Sequence, residues 1–199
     1  LEQNHLGACS MMPFLDRAGW GAAAQVPLAG DASSRRYIRL TKGAKTAILM
    51  QDPDGNVDLF ARLAAHLLHL NLSAPRILAQ ASGLLLIEDL GDGLVARLAT
   101  TEAREKHLYL VAVDALLALH QHRAPPSLPI ADAATLARMT DLAFDCFAAG
   151  AGHPNPAARD AVIAAFHPLL TDYAAPEGVM ILRDFHAENI LWLPDRQGP

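Results

Sequence analysis

A chain of 199 residues, 52% hydrophobic and 19% charged, is long enough for one or two domains with a real core and is not a disordered protein. Its formal net charge of −5 gives no general attraction to nucleic acid or to an anionic membrane. Two cysteines, Cys9 and Cys146, make no disulfide framework and fit a reduced, cytoplasmic setting. No apolar run reaches the length of a membrane span, and no basic segment followed by an apolar core opens the sequence, so neither a spanning helix nor a signal peptide is expected.

In chain order, the first half reads as short strands with one helix. Residues 36–40 and 45–50 are strand-like and flank a turn at Thr41-Lys42-Gly43-Ala44. Residues 51–55 form a loop by composition. Phe60, Leu63, Leu67 and Leu70 then recur at helical spacing, and Asn71 and Pro75 end that helix. Two more strands, at 76–79 and 84–87, surround the turn at Ala81-Ser82-Gly83. The stretch from Asp89 to Gly93 breaks both periodicities and marks a boundary, with one lobe at 1–90 and another at 91–199.

Past the boundary the chain turns helical. Thr101 is a suitable N-cap with Glu102 and Glu105 close behind it, and that helix runs to about His120 before Ala124-Pro125-Pro126 stops it. A second helix is expected over about 134–148. A third starts at Asn155-Pro156 and is kinked or ended by Pro168. Short extended segments are expected at 178–182 and 190–193. The whole is an α+β order, strand-rich and then helix-rich. The histidines at 66, 69, 107, 120 and 122 show no metal-ligand spacing with a third ligand.

The chemistry-bearing segment is Arg183-Asp184-Phe185-His186-Ala187-Glu188-Asn189-Ile190-Leu191-Trp192. Phosphoryl transfer needs a carboxylate to take or orient the proton of the attacking hydroxyl, and an amide oxygen nearby to hold a magnesium ion on the phosphates. A loop that sets Asn189 five residues after Asp184 brings both to one face. An Asp and an Asn at this spacing also arise by chance; the intervening His186 and the flanking apolar segments give the pair its weight. A basic stretch, with Arg35, Arg36, Arg39, Lys42 and Lys45 against Asp31, suits a phosphate-bearing ligand or else a solvated strand face.

The pattern Asp184-x-His186-x-x-Asn189 resembles the catalytic loop of the aminoglycoside phosphotransferases and the related choline and sugar kinases. The longer string, together with Leu28 to Tyr37 and Leu84 to Asp92, resembles the bacterial branch that holds the anomeric kinases of N-acetylmuramate and N-acetylglucosamine, enzymes of cell-wall recycling. The likeness runs from about Met12 to the last residue. It implies a two-lobed kinase-like fold with a small antiparallel N-lobe sheet and a mostly helical C-lobe. It also implies ATP and Mg2+ as cofactors, Asp184 as catalytic base and Asn189 as metal ligand. Gly30, Ser33 and Ser34 are then the small residues whose backbone approaches phosphate, followed by the cations Arg35 and Arg36. Glu88 and Leu90 offer linker backbone to the adenine edge.

Two departures stand out. Where the family carries a phosphate-binding Lys or Arg at the end of a V-A-I-K-like strand, this chain has Ala47-Ile48-Leu49-Met50, and Arg36, Arg39 or Lys45 are the candidate replacements. The family's second metal-binding Asp follows a return strand, and none follows Trp192, so the chain is expected to be truncated, with Asp195 a poor substitute. The expected function is transfer of the ATP γ-phosphate to a small-molecule hydroxyl, with an anomeric amino-sugar hydroxyl preferred. An aminoglycoside- or choline-type kinase, a nucleotide-binding pseudokinase or inactive fragment, and a helical interaction protein stay as alternatives.

Overall fold

The computed structural model describes residues 5–28, 34–52, 57–126, 128–173 and 178–196. The chain divides into two compact units, Leu1–Leu119 with Leu182–Pro199, and His120–Ile181.

The first unit opens with α1, His5–Arg17, and is built on a five-stranded antiparallel sheet of β1 (Ala24–Pro27), β2 (Arg36–Lys42), β3 (Lys45–Gln51), β4 (Ile77–Ala81) and β5 (Leu84–Glu88), in the order β1-β2-β3-β5-β4. The strand pair expected around residue 43 is β2 with β3, registered from Arg36↔Gln51 to Lys42↔Lys45. Its turn needs the positive φ of Gly43 (59°), which glycine adopts without a side-chain clash. Four-residue β1 escapes a reading by alternation because all its residues are exposed. It is an edge strand, and Pro27 fits an edge where one missing N–H is harmless.

Strand β3 is buried along Ala47-Ile48-Leu49-Met50, so both faces of the sheet are covered. On one face Leu40, Ala47, Leu49, Leu84 and Leu86 pack with Phe14 and Leu15 of α1. On the other, Ile48, Met50, Leu85 and Ile87 pack with Val57 of α2, Val57–His69. Helix α2 is the amphipathic helix expected from Phe60 to Leu70, and it ends where Asn71 takes a left-handed φ of 60°. Beyond β5 come the short α3, Val95–Leu98, and α4, Glu102–His120, whose cap is Thr101 accepting from the Arg104 N–H at 3.3 Å.

The second unit holds α5 (Ala133–Arg138), a 3-10 turn at Met139–Asp141, a π segment at Ala143–Ala148, and α6 (Pro156–Tyr173). One helix over 134–148 was the expectation, and its winding changes twice instead. Thr140 Oγ1 donates back to the Ala137 carbonyl at 2.8 Å, a side-chain bond that competes with regular helical pairing. Asp132 caps α5 by accepting from the Thr135 N–H at 2.8 Å, which holds its carboxyl below the ordinary range. Asn155 caps α6 as expected, accepting from the Ala158 N–H at 3.0 Å. Pro168 does not end α6, which continues to Tyr173. The segment at 178–182 is no strand; it contributes a single bridge, Arg123↔Val179.

Residues 93–96 are bonded by their backbone to residues 187–192, so the catalytic-loop segment is compact with the sheet.

Candidate active site

Asp184, His186 and Asn189 lie together on one loop. Asn189 Nδ2 donates to the Asp184 carboxylate Oδ2 at 2.8 Å and to the Asp184 carbonyl at 3.0 Å. His186 Nε2 stands 3.2 Å from Asp184 Oδ1. The Glu188 N–H points at His186 Nδ1 at 3.4 Å, and Asn189 Nδ2 also lies 3.2 Å from His186 Nε2. Asp184 thus accepts from Asn189 at one oxygen and faces His186 at the other, while 80% of its side chain stays exposed. With the Asn189 amide nitrogen turned to Asp184, its oxygen is the atom left to face a metal. Among the described residues no group of three or more His, Cys, Asp or Glu gathers around a metal position. A Mg2+ ion needs few protein ligands where phosphate and water oxygens complete its octahedron, so a single amide oxygen fits one vertex.

The loop is held from its far side by the linker. The Val95 N–H donates to the Ile190 carbonyl at 2.9 Å, Ala96 N–H to Ala187 at 3.0 Å, and Trp192 N–H to Gly93 at 2.7 Å, with an antiparallel bridge between Leu94 and Leu191. The extended segment at 190–193 is paired with the linker. Gly93 is required by this pairing: a Cβ there would stand 2.8 Å from the Trp192 carbonyl oxygen. The Trp192 ring meets His107 of α4 edge-on at 5.6 Å, and the Arg104 guanidinium lies 5.3 Å from its centroid. Arg196 Nη2 reaches Glu88 Oε2 at 2.9 Å and its Nη1 donates to the Ala74 carbonyl at 3.2 Å, tying the end of this segment to the end of β5.

Of the residues expected at the nucleotide, Gly30 and Ser33 lie outside the described residues. Ser34 is exposed. Arg35 Nε pairs with Asp52 at 2.9 Å, and the hydrogen bond to that carboxylate raises the arginine's already high pKa. Asp52 is 2% exposed and was concealed in what reads as a polar loop. The Glu88 N–H donates to the Arg76 carbonyl at 2.9 Å, and half-buried Leu90 follows in the linker.

Register settles which cation shares the face of Met50. Tyr37 is paired with Met50 and Arg39 with Ile48, so Arg39 lies on the α2 face with Met50. Arg36 and Lys45 alternate onto the opposite, α1 face. Met50 itself is fully buried core. The basic stretch is largely paired: Arg35 with Asp52, Arg39 with Asp89 and Asp92, and Lys42 with the Gly19 carbonyl at 2.8 Å. Sequence reading missed these partners because each stands 17 or more residues away.

A five-stranded antiparallel sheet followed by helices, with an Asp-x-His-x-x-Asn loop seated on its linker, defines an α+β chain of the kinase-like type. The chain belongs to the phosphotransferase enzyme family, APH, which residues 24–199 match. An N-acetylmuramate/N-acetylglucosamine kinase of Caulobacter vibrioides is 34% identical over 230 residues, covering 93% of this chain and 62% of the relative. One of the same name from Pseudomonas aeruginosa is 33% identical over 138 residues, covering 66% of this chain and 40% of the relative. The chain therefore spans less than two thirds of the length of these relatives. Among the described residues no helix is long and apolar enough to cross a membrane.

Proposed function

We propose that this chain carries the nucleotide lobe (residues 1–90) and the catalytic loop (within 91–199) of an ATP-dependent kinase acting on a small-molecule hydroxyl, with the anomeric hydroxyl of an N-acetyl amino sugar as acceptor. The carrying observation is the oriented Asp184 carboxylate, bonded to Asn189 and facing His186 while open to solvent. In this reading Asp184 accepts or orients the acceptor proton. Asn189 Oδ1 holds Mg2+, which when bound neutralises charge building on the phosphates. His186 keeps the carboxylate turned outward, a positioning role. Leu90 presents backbone to the adenine edge, and Ser34, Arg35 and Arg36, with Gly30 and Ser33 before them, flank the phosphates. The sugar assignment rests on the names of the two relatives. The pairing of Arg35 and Arg39 with carboxylates weakens their claim to phosphate, which keeps a nucleotide-binding protein without transfer activity as the second reading.

The test is turnover and nucleotide affinity of the wild type and Asp184→Asn, with N-acetylmuramate, N-acetylglucosamine, an aminoglycoside and choline as acceptors. The amide keeps the loop's shape but takes no proton, so turnover falls by roughly a hundredfold or more with ATP affinity retained. Near-wild-type turnover in Asp184→Asn removes it as the base. Nucleotide binding without turnover on any acceptor selects the second reading.

A further inference from the structure

One side chain of the first unit makes several charged hydrogen bonds that the proposed chemistry does not use. Arg39 extends from β2 to the linker and holds two carboxylates there. Its Nη1 and Nη2 donate to the two oxygens of Asp92 at 2.9 and 2.8 Å, a fork-on-fork pair. Nη2 also donates to Asp89 Oδ1 at 3.1 Å, and Nε stands 2.9 Å from Asp89 Oδ2, close enough for ion pairing though not aligned as a hydrogen bond. The same Asp89 Oδ1 accepts the Gly91 N–H at 3.0 Å. The turn from Asp89 to Asp92, with Gly91 at a φ of 80°, is therefore folded around one guanidinium.

Charge argues against a phosphate role for Arg39. Its guanidinium is engaged by two carboxylates, and Arg97 also bears on Asp92, so Arg39 has little charge left to offer a triphosphate. The burial argues for a structural one: the Asp89 side chain is 7% exposed, and without Arg39 two carboxylates face each other in a turn that a left-handed glycine leaves able to relax. The neighbouring residue is held as firmly from elsewhere, since Glu88 Oε2 accepts from Arg196 at 2.9 Å and from the Arg76 N–H at 3.1 Å.

We propose that Arg39 is a positioning residue for the nucleotide base: by gathering Asp89 and Asp92 it fixes the linker turn in the shape that presents the backbone around Leu90 to an adenine edge. This rests on the kinase reading above. It explains why the one cation on Met50's face of β2 is turned to the linker, and it separates base recognition from phosphate recognition.

Two probes distinguish the steps: adenosine, which reports on the base site alone, and inorganic tripolyphosphate, which reports on the phosphate site alone. Both are titrated calorimetrically into the full chain. Arg39→Gln is expected to weaken adenosine by about tenfold and to leave tripolyphosphate within about twofold. Arg39→Lys, which keeps the charge and loses the fork, recovers only part of the loss. Asp92→Asn, at a carboxylate 70% exposed, opens the clamp without stranding a buried charge and weakens adenosine by about threefold at an unchanged melting temperature. It decides the matter if Arg39→Gln does not fold. Unchanged adenosine affinity in a folded variant, full recovery with Lys, or equal losses for both probes overturns the proposal. Wild type that binds tripolyphosphate and not adenosine overturns it while sparing the phosphate site. Wild type that binds neither removes the nucleotide reading, and the clamp's role with it.

Discussion

Asn189 turns its amide nitrogen to Asp184 and so has one oxygen left for a metal. Asn189→Ala should raise the Mg2+ concentration needed for half-maximal turnover by at least about tenfold, the loss seen on removing even an outer-sphere metal partner. An unaltered magnesium dependence would end its assignment as a ligand. The two adjacent arginines should behave differently from one another. Arg35→Ala strips the buried Asp52 of its ion pair and should lower unfolding stability by about 2 kcal/mol, read from the urea midpoint. Exposed Arg36→Ala should leave the midpoint in place and raise the Michaelis constant for ATP. Equal midpoints for the two variants would show that Asp52 does not depend on Arg35. The contrast marks what was legible at this scale. The Asp184–Asn189 pair could be read from sequence because Asn189 follows Asp184 by five residues in one loop and the bond is local. The Arg35–Asp52 and Arg39–Asp89 pairs could not, because which carboxylate meets which arginine depends on strand register and on the fold of the linker, and composition shows only an excess of positive charge.

At the scale of elements, the strands with alternating or continuous apolar character and a glycine turn were legible, as was α2 by its stripe and its stop at Asn71. Edge strand β1 was not, being exposed throughout, and neither was the change of winding after α5, where Thr140 bonds back to the Ala137 carbonyl. The pairing of the linker with residues 187–192 was hidden for another reason. Each side contributes only a few residues, and neither forms a strand alone, so the signal exists only once both are brought together. Gly93 is where this pairing is tightest. Gly93→Ala should push the linker from the Trp192 carbonyl, destabilise the chain by about 1–3 kcal/mol, and lower turnover by displacing the catalytic loop. Gly150→Ala, where an added Cβ meets nothing within 4 Å, is the control. A Gly93→Ala protein with the control's urea midpoint and turnover would mean that the loop does not need this close approach.

Across the whole molecule, burial is unevenly shared, and stability should follow it. Among the described residues the buried hydrophobic side chains of His120–Ile181 are Ala137 and Met180; the rest lie in the other unit, concentrated in β3 and β5. Helix α6 has no buried residue, and Phe147, Leu169 and Tyr173 are 80%, 58% and 87% exposed. Backbone hydrogen bonds inside a helix give little protection unless an apolar face holds the helix in place. Amide hydrogen exchange under native conditions should therefore be slowest in β3 and β5 and faster by roughly a hundredfold or more in α5 and α6, a gap of about 2.7 kcal/mol in opening free energy. Residues 187–192, bonded to the linker, should exchange with the sheet's unit and not with α6, although they follow α6 in sequence. Adding ATP with Mg2+ should slow exchange in the sheet, the linker and the catalytic loop by mass action, and α6 much less. Uniform protection across both units would show that the sparse core of His120–Ile181 is as cooperative as the sheet. Loop amides at 187–192 that exchange as fast as α6 would show that the linker pairing does not hold the loop of Asp184 and Asn189 in solution.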